Sequence, residues 1–168
     1  GIGMKDSSDF TLLENNLIYN PRGLYLDQSP YHPRTVNVFE RNNILYNSSG
    51  VQFQVSRERS IFKENVIKGN IEPVVSDTPR NNLDINDWSG NYWDMYEGFD
   101  KNGDGYGDIP YKHYVYADKL WLYNPNVKFF YGSVIMDLLN FLAKFIPFSE
   151  PELLAVDNKP MMEYKIAK

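Results

Sequence analysis

The feature that most constrains the fold of this chain is an internal repeat of short segments that each end in asparagine. Three ten-residue segments superimpose without gaps: TLLENNLIYN at residues 11–20, VFERNNILYN at 38–47 and IFKENVIKGN at 61–70. A turn residue, glycine or proline, stands three positions after each closing asparagine. Periods of about 20–30 residues built from short apolar strands and Asn/Gly turns are typical of stacked-coil proteins, in which each coil pairs with its neighbours.

A fourth, less regular copy can be aligned by placing Asn86 and Asn91 on the two repeating asparagine positions. Asparagine tolerates the left-handed backbone of tight corners, and its amide can bond to the equivalent amide one coil away. The alignment therefore predicts two asparagine ladders, which run through positions 15, 42, 65 and 86 and through positions 20, 47, 70 and 91. We interpret these asparagines as scaffold and not as a binding site.

The repeat predicts an all-β fold: a right-handed parallel β-helix of about four coils, with a C-terminal cap that contains a cation loop and a short apolar helix. Leucine-rich repeats have a similar period, but they require leucine at most ladder positions, where this sequence has β-branched, aromatic and asparagine residues. We expect the coils at residues 1–91, the aspartate-loop cap at 92–131, and the apolar helix with the C-terminal tail at 132–168. Because the chain opens on coil-like residues without an initiator methionine, we also expect further coils upstream.

Composition excludes several classes of function. The formal net charge is −5 and the pI is about 5.0, so the chain lacks the basic character that a nucleic-acid partner would require. It contains no cysteine, which rules out disulfides, thiolate metal sites and cysteine nucleophiles. No apolar run reaches the roughly 18–20 residues that a membrane-spanning helix needs.

An aspartate-rich loop follows the last coil and reads DKNGDGYGD at residues 100–108. Oxygen-bearing side chains stand at loop positions 1, 3, 5 and 9, and glycine stands at position 6, where a calcium-binding loop turns sharply. The backbone carbonyl at position 7 usually adds a further ligand. The spacing predicts a structural calcium site that fastens the cap to the last coil, with the ligands Asp100, Asn102, Asp104, Tyr106 and Asp108.

The loop departs from a paired EF-hand at its end. Tyr111 stands where the bidentate glutamate of an EF-hand would be, and Pro110 would resist an exit helix. The alternative to a calcium site is an Asp/Gly turn that binds no ion. In that case three aspartates within nine residues would repel one another without a compensating charge, which favours calcium.

The residues around this loop also resemble a known family. The run NYWDMYEGFD at residues 91–100, followed by DGYGDIPY, is similar to the signature that ends NosD proteins. The stretches YADKLW at residues 116–121 and PFSEPELL at 147–154 resemble the tail of that family. The coils agree with the NosD fold but are generic, since many carbohydrate-active β-helices share them.

The resemblance implies a non-catalytic, periplasmic accessory factor for copper-site assembly of nitrous oxide reductase. Members of the family work with a membrane ABC transporter, made of the ATPase NosF and the membrane subunit NosY. The implied partners therefore are these transporter subunits, a copper chaperone (NosL) and nitrous oxide reductase itself. Copper would be a transient cargo rather than a resident cofactor.

Copper prefers thioether and imidazole ligands to the oxygen ligands of the aspartate loop. The chain holds two histidines and five methionines, but they form no HxH, HxxxH or MxxM cluster. The best candidates are His32, in a proline-rich loop expected to protrude between coils, and the adjacent pair Met161 and Met162 in the tail.

Residues 133–146 read as a short helix that Ser133 caps and Pro147 ends. One narrow polar stripe runs along it, and the remaining arc is apolar and wider than a helix packed on one surface needs. Either the helix is buried as a cap of the coil stack, or it presents apolar area to a partner. The candidate docking residues are Leu138, Leu139, Phe141, Leu142 and Phe145.

A carbohydrate-binding or carbohydrate-cleaving β-helix is the alternative from another functional class. Such enzymes place paired carboxylates and aromatic side chains in one groove for acid/base chemistry. The outward candidates are the carboxylates Asp27, Glu58, Asp77 and Asp84, with the aromatic residues Tyr25 and Tyr31. Their spacing puts no evident carboxylate pair on one face of adjacent coils.

Overall fold

Short strands that recur at the repeat spacing build the fold. The structure is a computed structural model that describes residues 1–56, 58–76, 85–115, 133–135, 138, 141–142 and 152–164. Within these ranges the strands are β1 Ile2–Lys5, β2 Thr11–Leu13, β3 Asn16–Ile18, β4 Arg22–Asp27, β5 Asn37–Glu40, β6 Asn43–Leu45, β7 Ser49–Gln54, β8 Ser60–Lys63, β9 Val66–Lys68, β10 Glu72–Ser76, β11 Asp87–Ser89, β12 Tyr92–Trp93, β13 Tyr111–Val115 and β14 Glu152–Asp157.

The strands stack into three sheets whose neighbours come from successive turns of the chain. The sheet orders are β1-β4-β7-β10, β13-β14-β11-β8-β5-β2 and β12-β9-β6-β3. The pairings between neighbouring turns from β1 to β12 are parallel. The groups β2–β4, β5–β7 and β8–β10 therefore form three complete turns, and β11 and β12 begin a fourth. The predicted parallel β-helix is confirmed.

The chain forms two compact units, one of residues 1–113 with 154–168 and the other of residues 114–153. In the second unit, residues 134, 135, 138, 141 and 142 are helical, within the segment where the sequence predicts the short apolar helix. The finer division predicted at residues 91 and 131 stays a prediction.

The bore of the β-helix is filled by columns of side chains, one residue from each turn. In the most aromatic column, Phe39 stacks on Phe62 with ring centroids 4.8 Å apart, and Phe62 stacks on Trp88 at 4.0 Å. All three are fully buried or nearly so. Burying one such side chain contributes roughly 1.5–3 kcal/mol, so the repeated apolar positions account for much of the stability of the stack.

Asparagines line two corners of each turn as ladders of hydrogen bonds. In the first ladder the backbone N–H of Asn15 donates to Oδ1 of Asn42 at 2.9 Å, and the next two steps repeat this bond at 3.0 Å. The members of this ladder are Asn15, Asn42, Asn65 and Asn91. The second ladder contains Asn20, Asn47 and Asn70.

The predicted alignment of the fourth turn was wrong by five residues. Trp88 pairs with Phe62, which places Asn91 and not Asn86 in the first ladder. Asn86 belongs to a third corner, where its Oδ1 accepts the backbone N–H of Ser60. Because corner positions recur every five residues within a turn, Asn86 and Asn91 fit either of two alignments, and the sequence alone does not distinguish them.

The left-handed residue at these corners precedes the asparagine. At the first corner Glu14, Arg41 and Glu64 have φ values of 55°, 52° and 54°, and Gly90 has 70°. The expectation that the asparagines adopt the left-handed backbone was therefore wrong. Their amides are used for the ladder, while the preceding residue makes the bend.

Candidate functional site

The predicted calcium ligands lie together in one exposed loop that is organised around Asp100. One carboxylate oxygen of Asp100 accepts the backbone N–H of Gly103 at 2.7 Å and of Asp104 at 3.2 Å, and the other accepts the N–H of Gly105 at 2.8 Å. These bonds, above all the one from Gly105, lower the pKa of the Asp100 carboxyl, because they stabilise its charged form. Asp100 therefore stays ionised at neutral pH.

The other side chains of the loop also bond to its own backbone. Oδ1 of Asn102 accepts the N–H of Asp104, and Oδ1 of Asp104 accepts the N–H of Tyr106, both at 2.9 Å. Asp108 accepts the N–H of Lys101 at 2.6 Å. Backbone donors thus offset part of the repulsion between the aspartates. Across the described ranges, no group of three or more His, Asp or Glu side chains is arranged to hold a metal ion, and calcium stays a prediction.

Tyr96 packs its ring against two glycines at the ends of the aspartate loop, Gly98 and Gly107. A Cβ atom at either Gly98 or Gly107 would overlap the Tyr96 ring, so neither position accepts a larger residue without a shift. The Tyr96 hydroxyl donates to the carbonyl of Ile109 at 2.7 Å. These contacts join the run NYWDMYEGFD to the aspartate loop.

The copper candidates Met161 and Met162 lie beside this loop. Met161 bridges the backbones of Tyr92 in the last turn and Tyr106 in the loop, and the N–H of Met162 donates to the carbonyl of Gly105 at 3.0 Å. Both methionine side chains are half-buried.

His32 lies elsewhere, in the exposed loop between β4 of the first turn and β5 of the second turn. Its backbone N–H donates to Oγ of Ser8 at 2.9 Å, and its ring packs edge-on against Tyr31. At least three strand spacings, on the order of 14 Å, separate this turn from the position of Met161. His32 and the methionine pair therefore do not form one copper site.

His113 is a buried histidine that the search for metal ligands in the sequence passed over. Its ring stacks near Trp93 and Tyr111, and Nδ1 lies 3.2 Å from the Tyr111 hydroxyl. Nε2 is buried and makes no hydrogen bond of ordinary geometry to another described residue, and the nearby backbone of Val74 offsets only part of the effect of burial on the pKa. Burial lowers the pKa of His113 to about 4, so the imidazole is neutral at neutral pH. A neutral imidazole can bind copper, but the described residues supply it with no cluster of further histidine or carboxylate ligands.

Asp157 is the second residue that sequence reasoning missed. Its carboxylate is fully buried and accepts five N–H groups at 2.8–3.1 Å: the backbone N–H of Gly90, Asn91 and Lys159, the side-chain amide of Asn91, and the indole of Trp93. Asp157 thereby ends the first asparagine ladder. No repeat marks this position, and its partner Asn91 stands 66 positions earlier in the chain.

The described candidates for partner docking are exposed. Leu138, Phe141 and Leu142 have 54%, 55% and 39% of their surface accessible, and the neighbouring Val134 and Ile135 have 82% and 67%. These positions fall at a helical i, i+1, i+4, i+7, i+8 spacing and share one face. Leu139 and Phe145 lie outside the described residues.

The carboxylates proposed for the carbohydrate alternative have structural partners. Asp27 forms an ion pair with Lys5 at 3.6 Å, and Glu58 accepts the backbone N–H of Arg34 at 3.4 Å. Tyr25 bonds through its hydroxyl to Gln54. Asp77 and Asp84 lie outside the described residues. No observation in the described turns favours a catalytic pair of carboxylates.

The family model and two known proteins that match this chain all point to one family. Residues 1–98 match the model of the family described as "Periplasmic copper-binding protein (NosD)". The chain is similar to "Probable ABC transporter binding protein NosD" of Stutzerimonas stutzeri, with 30% identity over 133 residues. It is also similar to the protein of the same name from Pseudomonas aeruginosa, with 29% identity over 133 residues.

Both alignments cover 79% of this chain but only 30% and 31% of the relatives, so the chain spans about a third of their length. The family match includes the coils, which the sequence alone left generic. Among the described residues, no helix is both long and apolar enough to cross a membrane.

Proposed function

This chain belongs to the NosD family of periplasmic copper-binding proteins, and from that premise we propose that it is part of a non-catalytic periplasmic factor for copper-site assembly of nitrous oxide reductase. The proposed partners are the ABC transporter subunits NosF and NosY, a copper chaperone and the reductase. The names of the relatives, which describe binding proteins of an ABC transporter, support the transporter as partner.

The observation that carries this proposal is the exposed apolar face in residues 114–153. Five apolar side chains on one helical face are exposed, although exposed apolar area disfavours the soluble state unless a partner covers it. We therefore assign contact with the transporter to this face rather than to the coils.

Co-purification of the whole protein with the transporter tests the assignment. Ile135→Glu together with Leu138→Glu places two charges on the exposed face, and we expect association to weaken at least tenfold. Because both side chains are more than half exposed, the melting temperature should change little. A matched control is Leu13→Glu with Ile18→Glu, which charges two exposed apolar positions of the first turn. Unchanged association of the Ile135/Leu138 variant would refute this assignment, and so would equal loss in the control.

Copper and calcium have separate places in the proposal. Copper is cargo, for which Met161, Met162 and His32 remain candidate ligands, whereas calcium would stabilise the aspartate loop. The carbohydrate-binding alternative predicts micromolar binding or turnover on a panel of polysaccharides. Such a result would displace the proposed role.

A further inference from the structure

The strand that closes the β-helix comes from the C-terminal end of the chain and enters the sheet out of order. In the six-stranded sheet, β14 lies between β11 and β13, although β13 precedes β14 by 36 residues in the sequence. The place beside β11 is therefore filled by a strand from much later in the sequence. We call residues 154–164 the closing segment.

The closing segment continues the pattern of the turns. The N–H of Tyr92 donates to the carbonyl of Asn65 at 2.8 Å, and the N–H of Met161 donates in the same way to the carbonyl of Asn91 at 2.9 Å. Trp88 pairs with Asp157, which aligns Pro160 with the ladder residue Asn91. Proline has no amide side chain, and the Asp157 carboxylate instead accepts the N–H groups of Asn91.

On the side of β11, fewer backbone pairs hold the closing segment than hold the turns. The parallel pairing of β5 with β8 extends over four residue pairs and that of β8 with β11 over three, whereas β11 and β14 pair at Trp88 and Asp157 alone. Segments with fewer backbone bonds open at lower free energy than the whole fold. The attachment to the last turn is reinforced by the carboxylate of Asp157, which accepts four N–H groups from Gly90, Asn91 and Trp93, and β13 is the other neighbour of β14 in the sheet.

We propose that the closing segment is a latch that opens separately from the coil turns and is locked by Asp157. Opening removes the acceptor from the N–H groups of Asn91 and the indole of Trp93, and it detaches Met161 and Met162 from the last turn and the aspartate loop. Because β14 begins inside the unit of residues 114–153, a partner that pulls on that unit acts directly on the latch. Strand order and hydrogen bonds alone define this latch, and its opening does not require the proposed partner.

Thiol labelling of the whole chain under native conditions tests the latch. The chain has no cysteine, so each variant carries one thiol. Ala155→Cys reports on the latch, since Ala155 is 2% exposed in β14, and Ser60→Cys, at a fully buried position in β8, reports on the turns. We expect the thiol at position 155 to label at least tenfold faster than the thiol at position 60. Equal rates would overturn the proposal, because they would mean that β14 opens only with the turns.

The role of Asp157 is tested by adding Asp157→Asn to both cysteine variants. This conservative change keeps the size of the side chain but replaces one accepting oxygen with a donor that faces the N–H groups of the ladder. Labelling at position 155 should accelerate at least tenfold, while labelling at position 60 changes less than threefold. Equal acceleration at both positions, or none at position 155, would show that Asp157 is not a latch. Circular dichroism of each variant verifies that the turns are folded.

Discussion

The turns of the β-helix and the region that closes them are stabilised in different ways. In the turns, each contact is made again one turn later: Phe39 on Phe62 on Trp88, and Asn15 to Asn42 to Asn65. The closing region consists of residues 94–113 and the closing segment. In it each contact is made once, by a carboxylate on the ladder, by a tyrosine between two glycines, or by a buried histidine against tryptophan.

This difference determines how far the destabilising effect of a mutation extends along the stack. Stability in a repeat array is approximately a sum of the turns and the interfaces between them, so a change in one turn weakens its interfaces on both sides. A contact that is made only once has no second copy to compensate for it, but its loss destabilises only the end of the stack where it lies.

Phe62→Ala tests the aromatic column at its centre. Phe62 is fully buried between Phe39 and Trp88, so its loss removes two ring stacks and leaves a cavity. We expect a loss of about 4 kcal/mol in the free energy of unfolding, measured by urea denaturation. Phe62→Leu, which leaves a smaller cavity, should cost less than half as much. A loss below about 1 kcal/mol for Phe62→Ala would contradict the view that the column supports the turns.

The next effect is expected in the closing region, where His113 makes stability depend on pH. Its folded pKa is about 4, below the ordinary value of 6.5, so between these values the unfolded chain binds more protons than the folded one. The neutral, buried His113 therefore stabilises the fold fully above pH 6.5, and the free energy of unfolding decreases as the pH falls from 6.5 toward 4. The shift corresponds to about 3 kcal/mol at most, by roughly 1.4 kcal/mol per pKa unit.

Urea denaturation from pH 7.5 to 4 measures this dependence. His113→Phe keeps an aromatic ring against Trp93 and should flatten the slope between pH 6.5 and 4. His32, the other histidine of the chain, is exposed, so His32→Phe serves as the matched control for the loss of a histidine. If both variants retain the parent slope, burial of His113 is not its cause.

The asparagine ladder allows a comparison within one region. Oδ1 of Asn42 accepts the backbone N–H of Asn15, and its amide donates to the carbonyl of Leu12 and to Oδ1 of Asn65. Asn42→Ala removes these three bonds, while Oδ1 of Asn65 still accepts the backbone N–H of residue 42, and the change should cost about 2 kcal/mol. Asn15→Ala, at the partly exposed end of the same ladder, should cost about half as much, because water can replace the lost bonds. Equal costs would argue against a role for burial in the ladder.

The same difference explains how much of the molecule the sequence could predict. Repetition makes the strand positions visible, because Leu12, Phe39 and Phe62 recur at equivalent places. It also allowed the error at Asn86, since a five-residue spacing inside each turn offers a second alignment. The aspartate loop was recognisable because its hydrogen bonds lie within nine residues.

Contacts between distant and unrepeated residues leave no such pattern. Asp157 and His113 differ from other acidic residues and histidines only by the tertiary environment in which the fold places them. Hydrogen bonds from Asp157 to Asn91 join positions 66 residues apart, and no local spacing indicates them. For the same reason, the sequence could suggest His32 and Met161 as copper ligands although the turns hold them far apart.

Calcium binding to the aspartate loop is expected to have the smallest effect and to act on the closing region. A ligand that binds only the folded state stabilises it by about 1.4 kcal/mol at a free concentration ten times its Kd. The melting temperature should therefore rise with calcium and fall with chelator. Asp104→Ala should abolish this response, whereas Glu97→Ala, which removes a nearby exposed carboxylate outside the predicted ligands, should retain it. Calcium should also slow proteolysis near Met162, because the Gly105 carbonyl accepts the N–H of that residue, and leave the turns unaffected. If the melting curve of Asp104→Ala in calcium matches that of the parent, the loop is a hydrogen-bonded turn that the backbone N–H groups around Asp100 hold without an ion.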